Sequence, residues 1–255
     1  MFLNLKPVIK AALGVALAAT VTTTAHAFEM DSLSDSERQA FRDEVRAYLL
    51  DNPEVLMEAI AVLEGRQVTA KEQADKTMVA ELSGELFNDG RSYVGGNPDG
   101  DITLVEFLDY RCGYCRRAHD DVNALVYGDG NIRFIVKEFP ILGEDSVTSS
   151  RFAIATRIVA GPEAYKRAND ALMKLSGSVN AAALSRLARD LDLDGDAIMA
   201  EMDSAAVSEE LNANHALAQK LAINGTPTFV LGDEVVRGYV PLDAMQALVA
   251  EARDQ

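Results

Sequence analysis

Apolar residues recur along this chain in two rhythms, and the change between them divides it. From residue 34 to about 90 the spacing is helical. Phe41, Val45, Tyr48 and Leu49 make one stripe, opened by Ser34 and Glu37 at the two positions of a capping box. Asn52-Pro53 ends that helix and starts another, with Asn52 as cap and Pro53 in the first turn. Val55, Leu56, Ala59, Ile60 and Leu63 then share a face. The helix runs on through the polar "EGRQVTAKEQADKT", and the stripe resumes at Met78, Val79, Leu82 and Leu86. Short helices are marginal in water on their own, so this segment packs either on the domain that follows or on copies of itself. The stripe is interrupted and lacks sustained heptads, which leaves both arrangements open.

"DGRSYVGGNPDGD" is dense in turn formers and marks a boundary near residue 90. Beyond it the rhythm shortens. "ITLVEFLDY" reads as a buried strand, Cys112 to about Val126 as a helix, and "NIRFIVKEFP" as a second strand stopped by Pro140. Residues from about 142 to 223 are almost purely helical. "TPTFVLG" and "EVVRGYV" make a hairpin around Gly232-Asp233, and "PLDAMQALVAEARD" closes the chain as a helix. Strand, helix, strand predicts a parallel pair with a crossover. The whole predicts an α/β fold: a mixed sheet covered by helices, with a helical insertion and an N-terminal helical segment.

The first residues change the setting. Lys6 and Lys10, the apolar run Ala11 to Val21 and Ala25-His26-Ala27 have the order of a secretory leader, with cleavage expected after Ala27. The run is about half of the roughly 20 residues a spanning helix needs. Residues 1–27 hold two lysines and no acids, so the 228 residues that remain carry a net charge of −18, against −16 for the full chain. Such acidity argues against nucleic acid or an anionic membrane as partner.

Export sharpens the meaning of "LVEFLDYRCGYCRRAHDDVNALV", which holds both cysteines of the chain, Cys112 and Cys115. C-x-x-C closes too small a loop to staple a domain, and suits a redox pair or half of a metal site. Structural zinc needs four ligands, and only His119 and His215 accompany the thiols after cleavage. The expectation is therefore no metal and no cofactor. A cysteine at a helix N-terminus meets the positive end of the backbone dipole and favours thiolate. This makes Cys112 the attacking sulfur and Cys115, one turn further in, the resolving thiol. Arg111, Arg116 and Arg117 add positive charge nearby. Far along the chain, "NGTPTFV" sets Pro227 immediately before a strand, where it costs no ladder donor. Its sharper reading is a cis peptide after Thr226, which frees backbone groups at the strand edge for a substrate peptide.

"FLDYRCGYC" followed after a helical insertion by "NGTPTFVLG" resembles the DsbA-like branch of the thioredoxin-fold oxidoreductases, over about residues 91–255. With the helical region 28–90 included, the chain is most similar to the ScsC type, associated with suppression of copper sensitivity. The resemblance implies a periplasmic thiol–disulfide oxidoreductase in which Cys112 and Cys115 form the redox-active disulfide. It also implies that Thr226, Pro227 and Tyr114 contact substrate. Glu106, six residues before Cys112, matches a buried acid of the family, and a desolvated carboxyl there can relay a proton. Implied partners are proteins with thiols or disulfides, a membrane redox partner (a DsbD-like reductant or a DsbB-like oxidant), and other copies of the chain, as a trimer through residues 28–90. Gly113-Tyr114 departs from the Pro-His of the strongly oxidising prototype, and Thr226 before the proline resembles disulfide isomerases. The reading is an isomerase or reductase; the alternatives are a dithiol oxidase and a copper-sequestering thiol protein.

Overall fold

The computed structural model describes residues 34–254, so the expected leader over residues 1–27 lies outside the described residues. Backbone packing separates into two units that divide between Val62 and Leu63. The first holds α1 (Asp35–Asp51) and the start of α2 (Glu54–Glu81). The Glu37 carboxylate accepts the Ser34 N–H at 2.9 Å while Ser34 Oγ accepts the Glu37 N–H, completing the capping box. α1 buries none of its residues. Val45 and Tyr48 on α1, and Leu56 and Ile60 on α2, all stand exposed.

The second unit is built on a five-stranded sheet of order β1-β3-β2-β4-β5. β2 (Ile102–Leu108) and β3 (Ile132–Glu138) run parallel, joined by α4 (Gly113–Asp129). β1 (Tyr93–Gly96), β4 (Thr228–Leu231) and β5 (Glu234–Arg237) pair antiparallel. α3 (Ser83–Phe87) precedes the sheet. α5 (Glu144–Ala160), α6 (Pro162–Lys174), α7 (Ala181–Asp190), α8 (Gly195–Glu201) and α9 (Ala205–Lys220) form the insertion, and α10 (Leu242–Arg253) ends the unit.

Strand alternation assigns each residue of β2 to a face. Leu104 and Leu108 join Phe134, Phe229, Cys115, Val122 and Met245 in one core. Val105 and Phe107 join Ile135, Val230, Leu217, Val79 and Leu86 in the other. Glu106 falls between Leu104 and Leu108, and so on the face that α4 covers. A central parallel pair buried on both faces explains the near-continuous apolar run read from the sequence.

One strand escaped the sequence reading. "YVGG" lies in the stretch that reads as a boundary loop, yet it pairs with β3 as β1. Gly96 has φ +65, and a Cβ there would meet the Ile132 carbonyl oxygen at 2.4 Å. The glycine is required by close strand approach, not by a turn. α8 was likewise not separated from its helical neighbours.

On the second face, the fully buried Lys137 ammonium reaches Asp89 Oδ2 at 2.7 Å and the Glu85 carbonyl at 2.8 Å. Burial works against ionised Asp89, but Lys137 and the Ser92 N–H outweigh it and hold the carboxyl down at about 2. Asp89→Ala would strand a buried cation. It is expected to lower the unfolding free energy in urea by about 3 kcal/mol, and a loss under about 1 kcal/mol would show the pair is not needed.

Candidate active site

The site begins where β2 ends. Asp109, fully buried, takes the Arg111 N–H on Oδ1 at 2.7 Å, and the N–H groups of Ile141 and Leu142 on Oδ2 at 2.8 and 3.0 Å. Its carbonyl accepts the Cys112 N–H at 3.0 Å. One side chain thus shapes the turn that delivers Cys112 and ties it to the loop after β3. The sequence reading passed over Asp109, although an aspartate directly after a strand is a familiar turn former.

Cys112 is the N-cap of α4. Its neighbour from the far end of the chain is Thr226, joined to Pro227 by a cis peptide bond. As a thiol, Cys112 Sγ donates to the Thr226 carbonyl at 3.1 Å. As a thiolate it is held by the Cys115 thiol, by the Thr226 side chain, and by the N–H groups of Cys115 and Tyr114. The Cys115 bond is the strongest of these, and together they overcome burial and bring the Cys112 pKa down to about 5. Cys115 is completely buried. Its hydrogen bond to Cys112, its burial and the charge of Glu106 push it far up. The two sulfurs are unbridged and differ sharply: one ionises in mild acid and the other stays a thiol at neutral pH.

Glu106 is 3 % exposed, and its Oε1 has no hydrogen-bond partner among the described residues. Burial raises its pKa to about 8, with help from the charges of Glu138 and Cys112. Glu138, at the end of β3, is also buried; burial lifts it to about 7 against hydrogen bonds from Tyr165, Tyr110 and Ser150. Those bonds measure 2.6, 2.7 and 2.7 Å. Sequence reasoning missed Glu138, because its partners lie on α5, α6 and the turn before α4.

The structure therefore gathers Cys112, Cys115, Glu106, Thr226 and Pro227 at one end of β2 and β4. Tyr114 stands at the rim, 63 % exposed. The arginines expected to assist the thiolate are occupied elsewhere. Arg116 donates to the Tyr110 and Leu175 carbonyls at 2.7 and 2.8 Å, Arg117 lies over the Tyr239 ring, and Arg111 pairs with Asp145. The main groups that lower Cys112 are instead Cys115, Thr226 and the Tyr114 N–H. His119 bonds to Asp170 at 2.7 Å. Among the described residues no three His, Cys, Asp or Glu side chains gather as a metal site.

The DSBA-like thioredoxin domain matches residues 103–250, and the copper resistance protein ScsC N-terminal domain matches residues 37–70. A thioredoxin-like oxidoreductase from Silicibacter pomeroyi is 43% identical over 68% of this chain and 98% of its own, with TM-score 0.63. BcfH of Salmonella enterica Typhimurium is 27% identical over 86% of this chain and 96% of its own, with TM-score 0.72. ScsC of Proteus mirabilis is 27% identical over 86% and 98%, with TM-score 0.63. Curated relatives are of another size. A Na(+)/H(+) antiporter NhaA of Salinispora tropica is 26% identical over 162 residues, and this chain spans 25% of its length. With more than half of its length matched by that one domain, the chain belongs to the DsbA-like thioredoxin family and carries an ScsC-type N-terminal domain.

Proposed function

We propose that the chain is a periplasmic protein thiol–disulfide oxidoreductase working as a disulfide isomerase or reductase. The observation that carries this is the contrast between the two sulfurs. The Cys112 thiolate attacks one sulfur of a client disulfide; a new S–S bond forms, and the client's other sulfur leaves as thiolate. A second client thiolate can then attack the client sulfur of the mixed disulfide, forming a rearranged client disulfide and expelling the Cys112 thiolate. Alternatively Cys115, after losing its proton, attacks the Cys112 sulfur, forming the Cys112–Cys115 disulfide and freeing the client cysteine as thiolate. The cycle needs Cys112 reduced at its start, which a DsbD-like membrane donor would supply. Residues 1–27 would serve as the cleaved leader. Of the helical segment expected over 28–90, residues 28–62 would oligomerise, and 63–255 would form the catalytic unit, because Val79 and Leu86 lie in the core behind the sheet and Asp89 holds Lys137.

Glu106 has a defined part in this cycle. While Cys112 is ionised, its charge helps to keep Glu106 protonated. Capture of a client turns that thiolate into a neutral disulfide, so the Glu106 pKa falls and a carboxylate becomes available to take the Cys115 proton. Glu106→Gln is expected to leave capture near its normal rate and to slow resolution by Cys115 at least about tenfold. Quenched-flow separation of mixed disulfide from product measures both steps. Equal slowing of the two would remove Glu106 from the proton path.

The low Cys112 pKa also favours a second reading, a dithiol oxidase recharged by a DsbB-like oxidant. A stabilised thiolate makes the reduced form the better-satisfied one. Thiol trapping in cells separates the readings: Cys112 and Cys115 mostly reduced supports the isomerase, and mostly oxidised supports the oxidase.

A further inference from the structure

Beside the Thr226–Pro227 loop runs a cleft of about 550 Å³. One wall is the backbone of residues 224–228 with Arg237. The other is the second half of α2, through Lys71, Ala74, Asp75 and Met78. That wall is fastened. Arg237 donates to both Asp75 carboxylate oxygens at 2.7 and 2.9 Å, and Lys71 adds a bond at 3.1 Å. Asp75 is 7 % exposed and its pKa is lowered, chiefly by the Arg237 hydrogen bond. Two cations therefore face one anion, which leaves a surplus positive charge in a chain whose net charge is −16. Lys71 keeps 59% of its side chain in solvent and is the member open to a ligand.

The cleft is continuous with the reacting sulfur through a single residue. Thr226 accepts the Cys112 thiol on its carbonyl and also lines the cleft. Its N–H has no partner among the described residues. An extended polypeptide beside residues 224–228 can supply one, as an added strand does at a sheet edge. Met78, Ala74 and Pro227 give such a segment an apolar floor.

We propose that α2 forms one wall of the client-binding cleft, so that the client segment next to the reacting half-cystine lies extended along residues 224–228, with apolar side chains against Met78 and Ala74 and an acidic side chain at Lys71. This rests on the oxidoreductase reading and adds the class of segment preferred: extended, apolar and acidic. Positive charge at Lys71 steers acidic segments in and disfavours basic ones.

The test uses the full chain in its reduced form and three disulfides: a peptide disulfide flanked by Glu and Leu, the same peptide with Lys for Glu, and hydroxyethyl disulfide. Stopped-flow rate constants for capture are compared. The unaltered chain should react several times faster with the Glu peptide than with the Lys peptide. Lys71→Glu should cut the ratio of Glu-peptide to hydroxyethyl-disulfide rates by about fivefold, the size of one exposed charge contact reversed, and the change should shrink in high salt. Ala74→Phe, on an exposed helix position, should lower both peptide rates relative to hydroxyethyl disulfide by narrowing the cleft. Lys174→Glu, an exposed charge on α6, serves as control and should keep the preference for the Glu peptide. The proposal is overturned if Lys71→Glu and Ala74→Phe keep the original ratios, or if Lys174→Glu shifts the preference as much as Lys71→Glu. An unaltered chain that reduces none of the three disulfides would instead sink the oxidoreductase reading.

Discussion

Cys112→Ser is expected to lose disulfide reduction and the refolding of scrambled substrates by more than about 10³-fold, because a serine hydroxyl is not ionised at neutral pH and cannot attack sulfur. Cys115→Ser should behave in the opposite way. It keeps the helix terminus, the N–H groups of Tyr114 and residue 115, and Thr226 around Cys112, so capture persists while the intramolecular exit is closed. Mixed disulfides with clients should accumulate and be visible on non-reducing gels. Covalent capture by Cys112→Ser and none by Cys115→Ser would reverse the assignment of roles.

The same thiolate predicts a pH dependence. Absorbance at 240 nm of the reduced chain should rise with a midpoint near pH 5, against the usual thiol value of about 8.5. Only the reduced form has this group, and its folded pKa is lowered. The resulting stabilisation is complete above the unfolded thiol pKa and is lost as pH falls through about 5. At pH 7, two units above the folded value, it contributes about 3 kcal/mol, at 1.4 kcal/mol per unit. The stability of the reduced form, measured against the oxidised form in urea, should therefore drop by about that amount between pH 7 and pH 4. A flat difference across this range would mean that Cys112 carries no stabilised thiolate.

What could be read from the sequence was what local rules determine. Leu104 and Leu108 around Glu106 give a strand with an acid on one face. Cys112 after that strand gives a helix cap, and Pro227 before "TFV" gives a strand entry. What stayed hidden depends on partners distant in sequence. Glu138 is held by Tyr165, 27 residues away, and Asp75 by Arg237, 162 residues away; no spacing rule joins such pairs. β1 was hidden for another reason. Gly96 satisfies close packing on β3 and Gly95 leaves room for the Tyr93 ring of its own strand, and the same residues spell a turn when read alone. The arginines of "RCGYCRR" make the converse point. Their charge is close to the thiolate in sequence, but in space Arg111 meets Asp145, Arg116 meets two carbonyls and Arg117 lies over a tyrosine ring.

Removing residues 28–62 is expected to give a monomeric catalytic unit that keeps simple disulfide reduction and loses most isomerase activity. The cut belongs at Val62 because Val79 and Leu86 sit in the core behind the sheet and Lys137 depends on Asp89; a cut at residue 90 would remove all three. Upstream of Val62 the situation is different. α1 buries none of its residues, and Val45, Tyr48, Leu56 and Ile60 are exposed. An apolar stripe of this kind is a surface for another helix, and copies of this chain present the same stripe to one another. The full chain should therefore be an oligomer at micromolar concentration by light scattering, and the ScsC resemblance makes a trimer the expected size. Reducing one accessible disulfide needs a single site with Cys112, Cys115 and Pro227. Isomerising a misfolded client needs repeated engagement before the client escapes. Sites linked in one assembly raise each other's effective concentration and strengthen binding by about 10²-fold or more without any new contact. Truncation should thus lower scrambled-substrate refolding by a similar factor while changing hydroxyethyl disulfide reduction less than about twofold. A full chain that scatters as a monomer would remove the basis for isomerisation, and the stabilised Cys112 thiolate would then place the dithiol oxidase first.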